Sequence, residues 1–299
     1  MKHLEDFLQP TQAELFQLLC KKFHGKAMGA KGSFILVKGN APVMLLAHLD
    51  TVHAEPVKEI CASADGNILM SPQGIGGDDR CGVYALNKIY ELVETKPYLL
   101  FTCDEEVGGV GAEQFCLAHS AGLLPAELKT LKLLVEIDRR GKKDAVYYNC
   151  DNPEFEKYIS SKGFKTAHGS FSDISVVAPA LGIAAVNLSS GYYNAHTLHE
   201  YINVKHLERT VSKVTEIISD AAQINFQQFK YIPRQSVLSD FMTATLPKDL
   251  PKDYEEIYWE LLDYYKAGEL EEYRKLYGNE ALRELYRQEF GGGNNDLYK

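Results

Sequence analysis

Five short segments place acid and imidazole groups where a pair of metal ions would need them. In chain order they are Leu46-Ala47-His48-Leu49-Asp50-Thr51, Gly76-Gly77-Asp78-Asp79-Arg80-Cys81-Gly82, Thr102-Cys103-Asp104-Glu105-Glu106-Val107-Gly108-Gly109, Glu136-Ile137-Asp138 and Asn194-Ala195-His196-Thr197-Leu198-His199-Glu200. Most follow an apolar, strand-like run. A neutral imidazole is a good zinc ligand. A carboxylate can offer one oxygen to each of two ions about 3.5–4 Å apart. The chemistry such a set could perform is hydrolysis assisted by two metals.

Each segment also has a plainer reading. We assign His48 to the metal and Asp50 to the other ring nitrogen, where an acid fixes the tautomer. A lone His-x-Asp is equally a satisfied structural histidine. Asp78 and Asp79 follow glycines and precede a helical pattern, so a helix N-cap is the alternative to a metal bridge. Glu105 and Glu106 are adjacent carboxylates, which repel each other unless a cation or proton compensates. We assign Glu106 to the metal and Glu105 to proton transfer as general base; a solvated acidic loop is the rival. Asp138 closes a buried run and needs a partner, for which Arg139 or Arg140 would also serve. His196 has His199 and His206 nearby, and the residues alone do not choose among the three.

These groups need a scaffold. Val43–Ala47 is a near-continuous apolar run within the strand expected at Pro42–Ala47, as suits a strand covered on both faces. Ser33–Lys38 precedes it across the turn signal Gly39-Asn40. Tyr98–Thr102, Leu131–Ile137 and Ala184–Leu188 are further strand candidates. Helical spacing marks Thr11–Phe23, Val83–Val93, Ala112–Ala118, Pro153–Ser161, Ile174–Leu181 and Val204–Ile224. Strands alternating with helices predict an α/β fold with a central, mostly parallel mixed sheet flanked by helices. In such sheets ligands bind beyond the carboxyl ends of the strands, where His48, Glu105, Glu106 and Asp138 fall.

With these residues in order, the chain resembles the co-catalytic zinc exopeptidases: the peptidase T and carboxypeptidase G, glutamyl aminopeptidase and aminopeptidase Y groups. Ala47-His48-Leu49-Asp50-Thr51-Val52 is similar to their His-x-Asp-x-Val segment. Asp78-Asp79-Arg80-Cys81-Gly82 is similar to Asp-Asp-Lys/Arg-x-Gly, and Asp104-Glu105-Glu106-Val107-Gly108 to Asp-Glu-Glu-x-Gly. Asp138 falls at the next carboxylate ligand, and His196-Thr197-Leu198-His199-Glu200 resembles His-x-x-x-Glu. Ser172-Asp173 followed by Gly182-Ile183-Ala184 resembles Ser/Thr-Asp…Gly-Ile-Pro, with Ala184 in place of the proline. The resemblance implies that Asp78 bridges two divalent ions, zinc by the family's habit. It places His48 and Asp138 on one ion and Glu106 and His196 on the other. The run Tyr193-Asn194-Ala195-His196 is most like the peptidase T group. That group carries an inserted lid and dimerisation domain before the last histidine, and the interval from Asp138 to His196 is too short for one. The expected activity is that of an aminopeptidase on small peptides. An N-acyl amino acid amidohydrolase using the same site, and a non-catalytic binding module keeping the fold, are the alternatives.

Bulk properties agree with a soluble enzyme. The 299 residues are 45% hydrophobic and carry a formal net charge of −9, which argues against non-specific nucleic-acid binding. No apolar run reaches the roughly 20 residues of a membrane span, and the first residues lack an apolar signal core; a cytoplasmic protein is expected. The six cysteines form no CxxC pair and read as reduced thiols. Composition changes near Tyr231, so residues 1–230 are expected to form the catalytic domain and 231–299 a helical C-terminal extension. Its candidate helices include the face Tyr254, Ile257, Leu261, Tyr264 and Tyr265. The extension packs on the domain as an appendage or serves homo-oligomer formation in place of the missing insert.

Overall fold

The computed structural model describes residues 3–24, 26–28 and 33–234, together with Arg274, Gly278 and Leu282. The chain divides into two compact units, Met1–Pro233 and Arg234–Lys299, and the candidate site lies in the first. The helices expected between residues 253 and 290 fall on positions that, apart from those three, lie outside the described residues.

The strands are β1 (Lys26–Met28), β2 (Phe34–Val37), β3 (Val43–His48), β4 (Cys61–Ala62), β5 (Ile68–Met70) and β6 (Tyr98–Thr102). They continue with β7 (Leu133–Arg139), β8 (Asp144–Val146), β9 (Lys165–Thr166), β10 (Ala185–Ser189), β11 (Tyr192–Tyr193) and β12 (Tyr201–Asn203). The α-helices are α1 (Glu5–Leu8), α2 (Gln12–Phe23), α3 (Gly77–Leu92), α4 (Val110–Ser120), α5 (Pro153–Ser161), α6 (Ile174–Leu181) and α7 (Val204–Ala221).

The main sheet runs β1-β2-β6-β3-β7-β10-β8-β9. Its four central strands, β6, β3, β7 and β10, are mutually parallel, while β1, β2 and β8 pair antiparallel with their inward neighbours. Every residue of β3 is buried. Its side chains alternate across the sheet. Val43, Leu45 and Ala47 join the apolar cluster that includes Leu15, Leu86 and Val211, from α2, α3 and α7. Met44 and Leu46 join Phe115, Ile174 and Val177, from α4 and α6, on the other face. Two covered faces explain why the run is apolar at both parities. The result is the expected α/β layering, a mixed sheet flanked by helices.

Three details depart from the sequence expectations. The turn at Gly39-Asn40 does not make a hairpin: β2 and β3 both pair with β6, which lies between them. The Asn40 and Ala41 amides bond to Lys96 O instead, each at 2.8 Å, and the wholly buried β6 has both edges covered. Helix α3 spans Gly77–Leu92 with non-helical backbone at Asp78 and Asp79, and its regular part begins after Asp79, three residues before the expected start at Val83, where Asp79 Oδ1 accepts the Gly82 N–H at 2.9 Å. A second, four-stranded sheet, β11-β12-β5-β4, has strands of two or three residues, too short to leave a periodic signal.

Candidate metal centre

The ends of three adjacent parallel strands supply most of the site. His48 is the last residue of β3, Asp138 the penultimate residue of β7, and Glu105 and Glu106 follow β6 by three and four residues. Asp104, with φ of 58°, turns the chain sharply there. The register pairs His48 with Thr102 and Leu46 with Glu136, so the three ends lie level.

Asp78 and Asp79 divide the two tasks read from their motif. Both have non-helical backbone angles; Asp79 caps the regular part of α3, and Asp78 turns its carboxylate to the histidines. Its Oδ1 lies 3.3 Å from His48 Nε2 and its Oδ2 lies 3.2 Å from His196 Nε2. The helix approaches β7 closely: a Cβ at Gly82 would lie 2.3 Å from Ile137 O, which glycine alone allows.

The other distances complete two groups that share Asp78. His48 Nε2 lies 3.7 Å from Asp138 Oδ1, and His196 Nε2 lies 3.2 Å from Glu106 Oε1. In each of the sets His48–Asp78–Asp138 and Asp78–Glu106–His196, potential ligand atoms all lie within 4.8 Å of one another. Glu105 Oε2 is 4.0 Å from His48 Nε2. Asp50 sits on the far side of the His48 ring, with Oδ1 3.2 Å from Nδ1. The same carboxylate accepts the Glu105 and Glu106 N–H groups at 3.1 and 3.0 Å. All seven residues singled out by sequence are thus gathered at one place. His199 and His206 are not: the first offers its carbonyl to Asn194, and the second faces Tyr193 OH at 2.8 Å. Arg139 turns away from Asp138 and donates to His168 O.

Electrostatics show a site with too much negative charge for its burial. Burial, then the Asp78 carboxylate, pushes Asp138 up to about 7. Burial, reinforced by Asp138, pushes Glu105 up to about 9. Glu106 also rises, through burial and Asp78. Hydrogen bonding to Asp78 lifts His196 to about 9. Burial alone would depress His48, but its hydrogen bonds to Asp138, Asp50 and Asp78 carry it well above the ordinary imidazole range. Burial would raise Asp78, and the His196 and His48 rings outweigh it and hold that carboxylate low. Protons here do the work a bound cation would do. Glu106 Oε1 is buried and makes no well-formed hydrogen bond, its neighbour in the cluster being His196 Nε2 at 3.2 Å. Imidazoles and carboxylates gathered in this way fit a divalent metal pair.

Several further residues support the site, and Asn187 among them carried no functional reading in the sequence. Asn187, a lone amide in β10, exchanges hydrogen bonds with the Asp138 backbone: its Oδ1 accepts at 2.9 Å and its Nδ2 donates at 3.0 Å. Its position inside an apolar run was the available signal. Tyr192 is buried and aims its hydroxyl at Asp138. Ser172 donates to Glu136, and Asp173 accepts from Thr102 behind the site. Cys103 behaves as the small buried residue its position suggests, and burial pushes its thiol up to about 12. A cavity of about 600 Å³ opens beside the centre, lined in part by Asp50, His53, Arg80 and Glu106 and walled by Leu8 and Gln12.

No family model matches the chain, and no curated protein sequence is similar to it. Solved structures are similar. A tripeptidase from Staphylococcus aureus superposes with a TM-score of 0.55 at 16% identity, over 73% of this chain and 96% of that one. Aminopeptidase PepT from Bacillus cereus gives 0.55 at 16% identity, over 74% and 97%. An aminopeptidase from the archaeon Desulfurococcus kamchatkensis gives 0.53 at 15% identity, over 73% and 94%. The chain therefore has the fold of these peptidases, in agreement with the resemblance to the zinc exopeptidases, nearest to peptidase T, carried by its five motifs.

Proposed function

We propose that the protein is a two-metal exopeptidase, an aminopeptidase acting on small peptides with zinc as its metal. The observation that carries this reading is the division of Asp78, with one carboxylate oxygen toward His48 and the other toward His196. Each oxygen heads its own donor group: His48 with Asp138, and His196 with Glu106. A divalent pair held there supplies Lewis acidity, lowering the pKa of a water from about 15.7 towards about 7 and polarising a carbonyl.

The residues around it have separate tasks. Asp50 takes the His48 Nδ1–H, which leaves Nε2 as the ligating nitrogen. Its bonds to the Glu105 and Glu106 amides also fix the turn carrying both acids. Glu105 is the general base: it accepts a proton from the attacking water and delivers it to the leaving amine. Burial raises its proton affinity, which suits that exchange. Burial of Asp78 and Asp138 keeps bulk water from the ligand atoms.

The reading is tested by supplying zinc to the protein and assaying free-amine di- and tripeptides against N-acyl amino acids. Release of the N-terminal residue from the peptides supports it. Cleavage confined to N-acyl amino acids would make the protein an amidohydrolase. Failure to take up metal would leave only a binding module. Self-association through residues 231–299 and a cytoplasmic location belong to the same proposal. Among the described residues no helix is long and apolar enough to cross a membrane. Light scattering of the full chain, and of a chain ending at Tyr231, reads the self-association.

A further inference from the structure

Glu200 is a fully buried carboxylate that the ligand set does not use. Three donors converge on it. Its Oε2 accepts the Gly76 N–H at 3.0 Å and faces His53 Nε2 at 2.9 Å, and its Oε1 accepts the Asp78 N–H at 2.9 Å. A buried anion satisfied by three N–H groups is firmly held. The donors come from separate parts of the site. Asp78 is the residue shared by both donor groups, and Gly76 sits two residues before it. His53 lies in the wall of the cavity, its ring packed over Gly74, where a Cβ would come within 2.3 Å of it.

Glu200 itself ends the short turn that begins at Asn194 and carries His196. Both Asn194 and His196 have positive φ, 56° and 63°, and the Glu200 N–H closes the turn on Thr197 O at 3.1 Å. The His196 side chain is 53% exposed, and the polar partners recorded for its ring are Asp78 and Glu106. Packing therefore does little to aim that ring. The turn joins β11 to β12, whose pairing holds its two ends together. The aim of the ring at Asp78 depends on how that hairpin is tied to the start of α3, and the Glu200 carboxylate on the Asp78 and Gly76 backbone makes that tie.

We propose that Glu200 is a positioning residue that sets the span between Asp78 and His196, and through it the affinity of the Glu106–His196 side for its cation. This rests on the two-metal reading. Replacing Glu200 by Gln keeps the size but sets an amide N–H₂ against backbone or imidazole donors, so at least one of the three bonds is lost. The bridge carboxylate and the imidazole then no longer share a fixed frame.

The experiment titrates metal-free full-length protein with Zn²⁺ against a competing chelator, with thermal melting of the metal-free form alongside. Wild type should bind two equivalents. In Glu200→Gln one of the two affinities, that of the Glu106–His196 side, should fall by about 10–100-fold, the usual effect of losing a residue that orients a ligand. A lower melting temperature with both affinities unchanged would make Glu200 merely structural and overturn the proposal. If Glu200→Gln does not fold, His53→Ala reads the same linkage, since it removes one donor and leaves both backbone bonds. A smaller loss, about 3–10-fold, is expected, and unchanged affinity would overturn the proposal. Fewer than two equivalents bound by wild type would overturn the two-metal reading together with it.

Discussion

His48 Nδ1 lies 3.2 Å from Asp50 Oδ1, and that one carboxylate also receives the backbone N–H groups of Glu105 and Glu106. Asp50 thus connects the end of β3 to the acids beyond β6. Asp50→Asn should weaken metal binding by about 10–100-fold, with the fold retained. Competition against a chelator measures it, and wild-type affinity would remove the orienting role.

Glu105→Gln separates binding from chemistry. The variant should keep both cations, because the two donor groups that share Asp78 do not include Glu105; loss of a cation would instead favour the third set of potential ligands, His48–Glu105–Glu106. Peptide turnover should fall by about 10²-fold or more. Metal content by elemental analysis and kcat on the same sample decide the matter, and near-normal kcat would assign the base elsewhere.

Metal uptake should depend on pH, with a sign set by the raised groups. In the metal-free protein Asp138 titrates at about 7 and His196 at about 9. Both must be deprotonated to ligate. Protons therefore compete with metal below these values. Affinity should climb as pH rises from about 6 to 9, with protons released on binding. Calorimetry in buffers of different ionisation enthalpy counts those protons. Affinity that falls over this interval would contradict the assignment.

Chelation should lower stability. A ligand that binds only the folded state contributes about 2.7 kcal/mol when present at 100 times its Kd. Thermal melting with and without Zn²⁺ reads this as a metal-dependent midpoint. An identical midpoint under both conditions would argue that the donor groups hold no cation.

Leu45→Ala tests the central strand. Leu45, on the strand paired with both β6 and β7, is fully buried in the cluster with Leu15, Leu86 and Val211. Truncation there should cost about 2–5 kcal/mol, seen as a lower urea midpoint. A change under about 1 kcal/mol would mean that the site collapses around the gap.

Much of this arrangement was legible in the sequence because two strong signals coincide. The doubly covered strands announce themselves as unbroken apolar runs, and the chemistry-bearing residues stand where those runs stop. Helix α2 was legible from the helical spacing of its apolar residues, and the structure adds a capping box between Thr11 and Glu14 at its start. The bridging role proposed for Asp78 and the choice of His196 over His199 came only with the family resemblance, since neighbouring residues of one type are equivalent until the backbone turns them apart. The Asn187 and Tyr192 contacts with Asp138 join positions far apart in the chain, and no local pattern reveals them. The placement of β6 between β2 and β3 was hidden for the same reason, because a turn signal states where the chain bends but not which strand it bends around.

The level alignment of the β6, β3 and β7 ends has a wider effect. Side chains along a strand switch faces at every step. Sliding β3 by a single position against its neighbours would carry His48 to the opposite surface and leave three acids without their imidazole. Backbone pairing across the middle of the molecule therefore acts as a gauge for the centre, and an error in pairing would scatter the very groups proposed to hold the metal pair.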